Sequence, residues 1–458
     1  MGFLLMLLLP YRNMNEDDEI MENSSYGDKN FLSPSFWCNL RKVSDISHTK
    51  KLPDSHECAP TELDFHDDII STEKNLDHLQ CRLTKLLDLN PFINASMLDS
   101  NVRSFIISLL VVCGEQSSKE VWTSEHSVKV MTDIHRMLCQ IFLVDIENMF
   151  VEFESKWNFC VCKLLLSSLK IKLQSKSWKQ HPAAFKCYRW ILFSMKEEQM
   201  CENIEDVLPP TLVAIDDYEM NNQILGIECL SHIMTNITRT DLCSLGYDDV
   251  IFSALEHLLY TKEPELIEKL VPCLTQFLEK VEKGYTKKED HLQCSRYDKA
   301  LKIILSNMEL EQYLTKRKAY IRVLPMYLDS MGLPMLRWSK QLLRIFEDYV
   351  FVDDGSGGIS TKMAIEALKV FILHTWPAIP NKMDKVLELL LKILLEVTEL
   401  DSSIVMSKEA SEEILNLVEE CLGLAIKASP LTAKELCAGM QDSFKNENFN
   451  SVVKRVLC

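Results

Sequence analysis

Residues 207–237 read Val207-Leu208-Pro209-Pro210-Thr211-Leu212, then Asp216-Asp217-Tyr218, then Asn222-Gln223-Ile224-Leu225-Gly226-Ile227-Glu228-Cys229-Leu230-Ser231-His232-Ile233. The Leu-Pro step predicts the opening of a helix, because a proline in the first turn has no hydrogen bond to lose. The acidic pair Asp216-Asp217 ends that helix by forming a turn and capping the next one. In the second helix Ile224, Ile227, Cys229, Leu230, Ile233 and Met234 make an apolar stripe, and Gly226 stands where two helix axes can approach closely. Such a pair cannot bury its apolar face alone. It stacks on copies of itself and builds an extended binding surface.

The same device recurs as Leu324-Pro325-Met326-Tyr327-Leu328, followed by a helix from Met335 to Tyr349, with a Val271-Pro272-Cys273-Leu274 variant between. Roughly 40 to 47 residues per helix pair is the spacing of HEAT and armadillo arrays. Around these units the periodicity predicts helices over Val102–Cys113, Ser127–Phe150, Trp157–Leu173, Pro182–Met200, Asp248–Tyr260, Pro264–Glu282, Tyr297–Met308, Glu311–Ser330, Pro334–Val352, Thr361–Thr375, Lys382–Leu400 and Ser407–Lys427. Only 12 glycines and 15 prolines in 458 residues, with 47% hydrophobic residues, fit long helices and not turn-rich sheets. The predicted fold is all-α: a degenerate HEAT/armadillo-like α-solenoid of stacked helix pairs over residues 71–458. Residues 1–70 carry Glu16-Asp17-Asp18-Glu19, Pro34, Pro53 and Pro60 without a sustained period, and are expected to be a mostly disordered or variable arm.

A formal charge of −17, from 50 Lys and Arg against 67 Asp and Glu, disfavours a phosphate-backbone partner. No nucleic acid is expected. The apolar run Phe3–Leu9 lacks a preceding basic residue and a small-residue cleavage site, and is far shorter than the ~20 residues that span a bilayer, so no membrane is expected either. It reads as an alternative or mis-assigned start of the chain. The 16 cysteines show no Cys-x-x-Cys pair, only Cys160-Val161-Cys162, and most lie within apolar helical runs as reduced thiols.

Candidate chemistry is sparse. The glycine-rich Asp353–Lys362 lacks the Gly-Lys-Ser/Thr of a phosphate cradle and the ligand pattern of a calcium loop, and reads as a connector. His56-Glu57-Cys58 with His48 and His66 has no spaced second pair for zinc. No Gly-x-Ser-x-Gly elbow is present. His232 reads as a packed histidine and His374 as a helix-end residue, so neither catalysis nor a cofactor is expected.

Ser177-Trp178-Lys179 with Pro182 and Trp190, the stretch from Val207 to Asn236 with Asp217, Tyr218, Asn222, Gly226 and His232, then Leu259-Tyr260 and His374-Thr375-Trp376-Pro377 together resemble the Tel-two-interacting protein two family. The resemblance is densest over 177–283 and thins towards 400; Gln223 departs from it, standing where relatives have a basic residue. It implies the smallest subunit of the Triple-T cochaperone complex, a partner of Tel-two and Tel-two-interacting protein one. It further implies a role with the ninety-kilodalton heat-shock chaperone in maturing phosphatidylinositol-3-kinase-related kinases, in cytoplasm and nucleus. The partner-binding or family-motif candidates are Trp178, Pro182, Trp190, Asp217, Tyr218, Asn222, Gly226, His232, Tyr260, His374 and Trp376, with Trp178 and Trp190 read as core. The alternative is a transport or trafficking adaptor of importin or armadillo kind, whose repeated Trp-x-x-x-Asn groove pairs this chain lacks.

Overall fold

Polar caps and short breakers divide the chain into helices much as the periodicity predicts. The computed structural model describes residues 33–53, 60–89, 98–282, 295–351, 358–399, 408–430 and 455. The helices are α1 Pro34–Asp45, α2 His66–Asp88, α3 Ser100–Glu115, α4 Glu125–Phe142, α5 Met149–Trp157, α6 Val161–Leu169, α7 Pro182–Ser194, α8 Glu197–Glu202, α9 Ile204–Ile215, α10 Met220–Asn236, α11 Arg239–Ser244, α12 Tyr247–Leu258, α13 Pro264–Glu282, α14 Arg296–Leu310, α15 Leu314–Met331, α16 Ser339–Val350, α17 Ile359–Thr375, α18 Met383–Glu399 and α19 Lys408–Ala428. No strand occurs among the described residues. Asp99 starts α3 by accepting the N–H groups of Asn101 and Val102 at 2.9 Å each, and Ser124 starts α4 by accepting that of Ser127 at 3.0 Å.

Three expectations are corrected. The Leu-Pro steps do not open helices: Pro209 and Pro210 lie inside α9, Pro272 inside α13 and Pro325 inside α15. In α9 the N–H groups of Asp206 and Val207 already bond the Asn203 carbonyl at 3.0 Å, so the helix is under way before the prolines arrive. Each proline then deprives the carbonyl four residues earlier of its partner, which is tolerable for Glu205 because it is exposed. The single helix over Ser127–Phe150 divides, because Leu143 turns left-handed (φ 51°) and closes α4. The disordered arm does not extend to residue 70. Phe36, Trp37 and Leu40 of α1 are buried against α3, while the acidic tract 16–19, the apolar start and His56-Glu57-Cys58 lie outside the described residues.

The chain divides into two compact units, Met1–Ala214 with Thr235–Thr238, and Ile215–Met234 with Arg239–Cys458. In the first, α1 packs on α3, α3 on α7, and α2 on α4. The connection after α1 is fastened by backbone donors: Thr49 N–H to Glu115 Oε2 at 2.8 Å, Lys50 N–H to Asp68 Oδ2 at 3.1 Å and Leu52 N–H to the Gln180 carbonyl at 2.9 Å. Leu52, Phe65, Trp122 and Ala183 close a small core beneath it.

In the second unit α13 packs on α15, α15 on α17 and α17 on α19, while α14 packs on α16 and α16 on α18, which makes two layers. One layer is α10, α13, α15, α17 and α19. It is stitched by Glu228 to Lys269 (3.6 Å), Glu268 to Arg322 (2.7 Å), Asp329 to His374 (2.8 Å) and Lys369 to Glu420 (2.8 Å). The other is α12, α14, α16 and α18, joined by Asn307 Nδ2 to the Leu259 carbonyl (2.9 Å), Glu309 to Arg344 (2.8 Å) and Glu347 to Lys392 (3.0 Å). Apolar stripes fill the space between the layers, with Leu270, Leu274, Phe277, Leu301, Leu305, Tyr327, Phe346 and Phe371 buried. The fold is an α-solenoid of degenerate helix pairs.

Candidate interaction surface

Most of the residues singled out in the sequence turn out to hold the fold. Trp178 is buried with its ring 5.4 Å from that of Phe185, and Pro182 occupies the first turn of α7. Trp190 stands edge-on between His135 and Phe150, at 5.8 Å from each. Asp217 is buried and caps α10: its Oδ1 accepts the Glu219 N–H at 2.8 Å and the Asn222 amide at 3.4 Å, while Gln223 donates to the Asp217 carbonyl at 2.7 Å. A basic side chain at 223 would also reach that carbonyl, so the glutamine preserves the cap. Gly226 is buried on α10 and His232 is half-buried there. His374 is bound to Asp329.

Three candidates stand out in solvent instead. Tyr218 is 80% exposed, Tyr260 65% and Trp376 61%. Tyr218 lies in the turn before α10, and Tyr260 in the turn that returns the chain from the second layer to the first. The next such turn presents Leu310 and Tyr313, 82% and 71% exposed, and the one after it begins at exposed Phe351. The helices that follow Tyr218 and Tyr260, α10 and α13, are tied by Glu228 and Lys269 at 3.6 Å, and the later turns are neighbours in space. Asn307 bonds the Leu259 carbonyl, and Arg317 donates to the Asp348 carbonyl at 2.8 Å while stacking 3.8 Å over the Tyr349 ring. One edge of the second unit therefore carries a row of aromatic and apolar side chains held out by polar turns, which marks an interaction surface. Leu310, Tyr313 and Phe351 were not found in the sequence. The available signal was a large side chain immediately before or after a helix, where core packing does not need one.

The first unit contains an arrangement with the outline of a catalytic triad. Ser108 Oγ lies 3.2 Å from His48 Nε2, and His48 Nδ1 lies 3.6 Å from the buried Glu115 carboxylate. It borders a cavity of about 370 Å³ lined by Arg41, Asp45, Arg103, Ser168 and Lys172 among others. Ser108 lines that cavity, but it is buried, and its hydroxyl donates to Asp45 Oδ1 at 2.6 Å and not to the histidine that would have to activate it. It sits within α3, whose N–H groups serve the helix ladder and leave none for an oxyanion. The group works as a pin joining α1, α3 and the connection between them.

Burial pushes the Glu115 carboxyl up, but His48, the Lys172 ammonium 3.8 Å away and the Thr49 N–H outweigh it and hold the group below the usual carboxylate range. A depressed folded-state pKa contributes stability that is present above about pH 4.3 and lost as pH falls through the lower folded value. Glu115→Gln is expected to lower stability at pH 7 by about 2 kcal/mol and to flatten the acid limb of the stability profile. Urea midpoints of the full chain at pH 7 and near pH 3 measure this. An acid limb as steep as that of the parent would remove Glu115 from the account.

Among the described residues no group of three or more His, Cys, Asp and Glu gathers to hold a metal. Burial pushes the Cys113 and Cys187 thiols well up and Cys273 up to about 12, so these are packed thiols and not reactive thiolates. Among the described residues no helix is long and apolar enough to cross a membrane. Stacked helix pairs build extended surfaces, and one edge of the second unit carries exposed aromatic side chains.

Residues 163–353 match the family model described as the Tti2 family. It is 29% identical over 341 residues to TELO2-interacting protein 2 of Homo sapiens, covering 74% of this chain and 67% of that one. It is 28% identical over 339 residues to the same-named protein of Mus musculus, covering 74% and 66%. Among solved structures, importin beta aligns with a TM-score of 0.46 at 13% identity over 99% of this chain and 52% of that one, and SYS-1 with 0.42 at 12% over 94% and 78%. The layered packing inside the units, not these alignments, defines the fold.

Proposed function

We propose that the protein is a non-catalytic scaffold subunit of the Triple-T complex. It binds Tel-two and Tel-two-interacting protein one, and through them supports maturation of phosphatidylinositol-3-kinase-related kinases by the ninety-kilodalton heat-shock chaperone, in cytoplasm and nucleus. The observation that carries this reading is the family match over residues 163–353 together with relatives whose name states that they interact with TELO2. The exposed row on the second unit supports it, because a helical scaffold acts through such surfaces. Affinity-tagged full chain co-expressed with Tel-two and Tel-two-interacting protein one is expected to recover both in fixed ratio, and depletion of the chain from cells to lower the level of the kinases. Recovery of neither partner, with kinase levels unchanged on depletion, counts decisively against the reading.

A further inference from the structure

We infer that the edge carrying Tyr218, Tyr260 and Tyr313 is the docking site for a basic amphipathic helix of a protein partner. The inference rests on the scaffold reading and assigns it a surface and a partner chemistry. The row follows consecutive turns of one stack, so its spacing is that of packed helices, about 8–10 Å per step. A helix rising 1.5 Å per residue covers that step in about six to seven residues. A partner helix laid along the row thus meets one tyrosine with each heptad, through a bulky apolar residue repeated at roughly seven-residue intervals. From Tyr218 to Tyr313 is two steps, about 20 Å, and Phe351 extends the row by a third.

The charge is specified by the rim. Asp216, Glu263, Glu265 and Asp348 are exposed around the row, against exposed Lys262. Nearby cations are already engaged: Lys316 pairs with Glu311 at 3.3 Å, and Arg317 donates to the Glu311 and Asp348 carbonyls. The edge therefore presents acid to an incoming surface, and Lys or Arg flanking the partner's apolar stripe complements it. The tyrosine faces suit the same cations, since Lys316 Nζ sits 4.9 Å from the Tyr313 ring centre within the chain itself. Tyrosine offers a large amphipathic area with few rotors to freeze, which is why exposed tyrosines serve as anchors in interfaces.

The test compares the parent chain, Tyr218→Ala/Tyr260→Ala/Tyr313→Ala, and Leu63→Ala/Ile171→Ala, which removes two exposed apolar side chains of the first unit. Each is measured for capture of purified Tel-two and Tel-two-interacting protein one. Each is also titrated with a labelled 21-residue helical peptide carrying leucine at heptad spacing and flanking lysines, and with its glutamate-flanked counterpart. Because the three tyrosines are exposed, the triple variant is expected to keep the parent's denaturation midpoint. It is expected to bind the lysine peptide and the partner at least tenfold more weakly, while the Leu63/Ile171 variant binds like the parent. The glutamate peptide should bind at least tenfold more weakly than the lysine peptide, with the gap narrowing in high salt. Parent chain that captures neither protein sinks the scaffold reading. Parent and triple variant capturing the partner equally leaves that reading standing and overturns the edge assignment, as does equal affinity for the two peptides.

Discussion

Asp298→Ala is expected to destabilise the second unit by about 3 kcal/mol. Asp298 is buried at the start of α14 and serves two structures at once. Its Oδ2 accepts the Ser295 N–H at 3.1 Å and the Ser295 hydroxyl at 3.0 Å, and its own N–H bonds Ser295 Oγ at 3.2 Å, which closes the cap of the helix. The same carboxylate takes the Arg337 guanidinium at 2.6 Å and the Trp338 indole N–H at 2.8 Å, holding the 3₁₀ segment Leu333–Trp338 onto the first turn of α14. Loss of a cap alone costs about 1 kcal/mol. Removing one side of a buried ion pair costs about 3–5 kcal/mol, but Arg337 is 36% exposed and can turn to water, so the lower end applies. Asp298→Asn keeps the indole contact and part of the cap, and should lose about half as much. Denaturation of the full chain followed by circular dichroism measures the midpoint. A midpoint equal to the parent's for the alanine variant would contradict the shared role of this carboxylate.

Gly114→Ala tests the first unit in the opposite sense, by adding an atom. A Cβ built at Gly114 would lie 2.5 Å from Cys187 Sγ, 2.9 Å from Cys187 Cα and 3.0 Å from Cys187 Cβ. The thiol could rotate, but the α-carbon belongs to the backbone of α7, so α3 and α7 must move apart. Alanine in a helix is intrinsically favoured over glycine by about 1 kcal/mol. Overpacking a tight interface costs about 1–3 kcal/mol and sometimes more. With backbone as the obstacle the second effect wins, and a net loss of about 2 kcal/mol is expected. Adding Cys187→Ala should recover part of it, since this removes the sulfur and leaves the collision with the backbone in place. Chemical denaturation of both variants, with hydrogen exchange over residues 100–115 and 182–194, measures the effect. A more stable Gly114→Ala chain would show that the two helices are not in close approach.

These sites differ in how far the sequence announces them. The helix at Pro264–Glu282 is read to the residue, because Pro264 starts it and an unbroken apolar period runs through it. Asp217 is legible as a turn residue and proves to be the cap of α10. The prolines mislead: Leu208-Pro209 looks like a beginning only if the preceding Ile204–Val207 is not already helical, and local pattern does not reveal where a first turn has closed. Trp178 is buried and Trp190 half-buried, and their partners Phe185, His135 and Phe150 come from chain positions that no local pattern connects. Gly114 carries no signal at all, because a glycine near a helix end is ordinary until Cys187 is placed against it.

Composition and period alone determined that this chain is a helical solenoid. Scarce glycine and stripes repeating at three and four residues leave no other way to bury the apolar half of each helix. The motif residues pointed as well to the family whose model matches residues 163–353. Which of those residues is exposed was decided only by tertiary structure. Exposure of Tyr218, Tyr260 and Tyr313 depends on three turns, tens of residues apart, lying side by side on one edge. That adjacency is produced by the stacking of alternate helices, a long-range property that no short stretch of sequence contains.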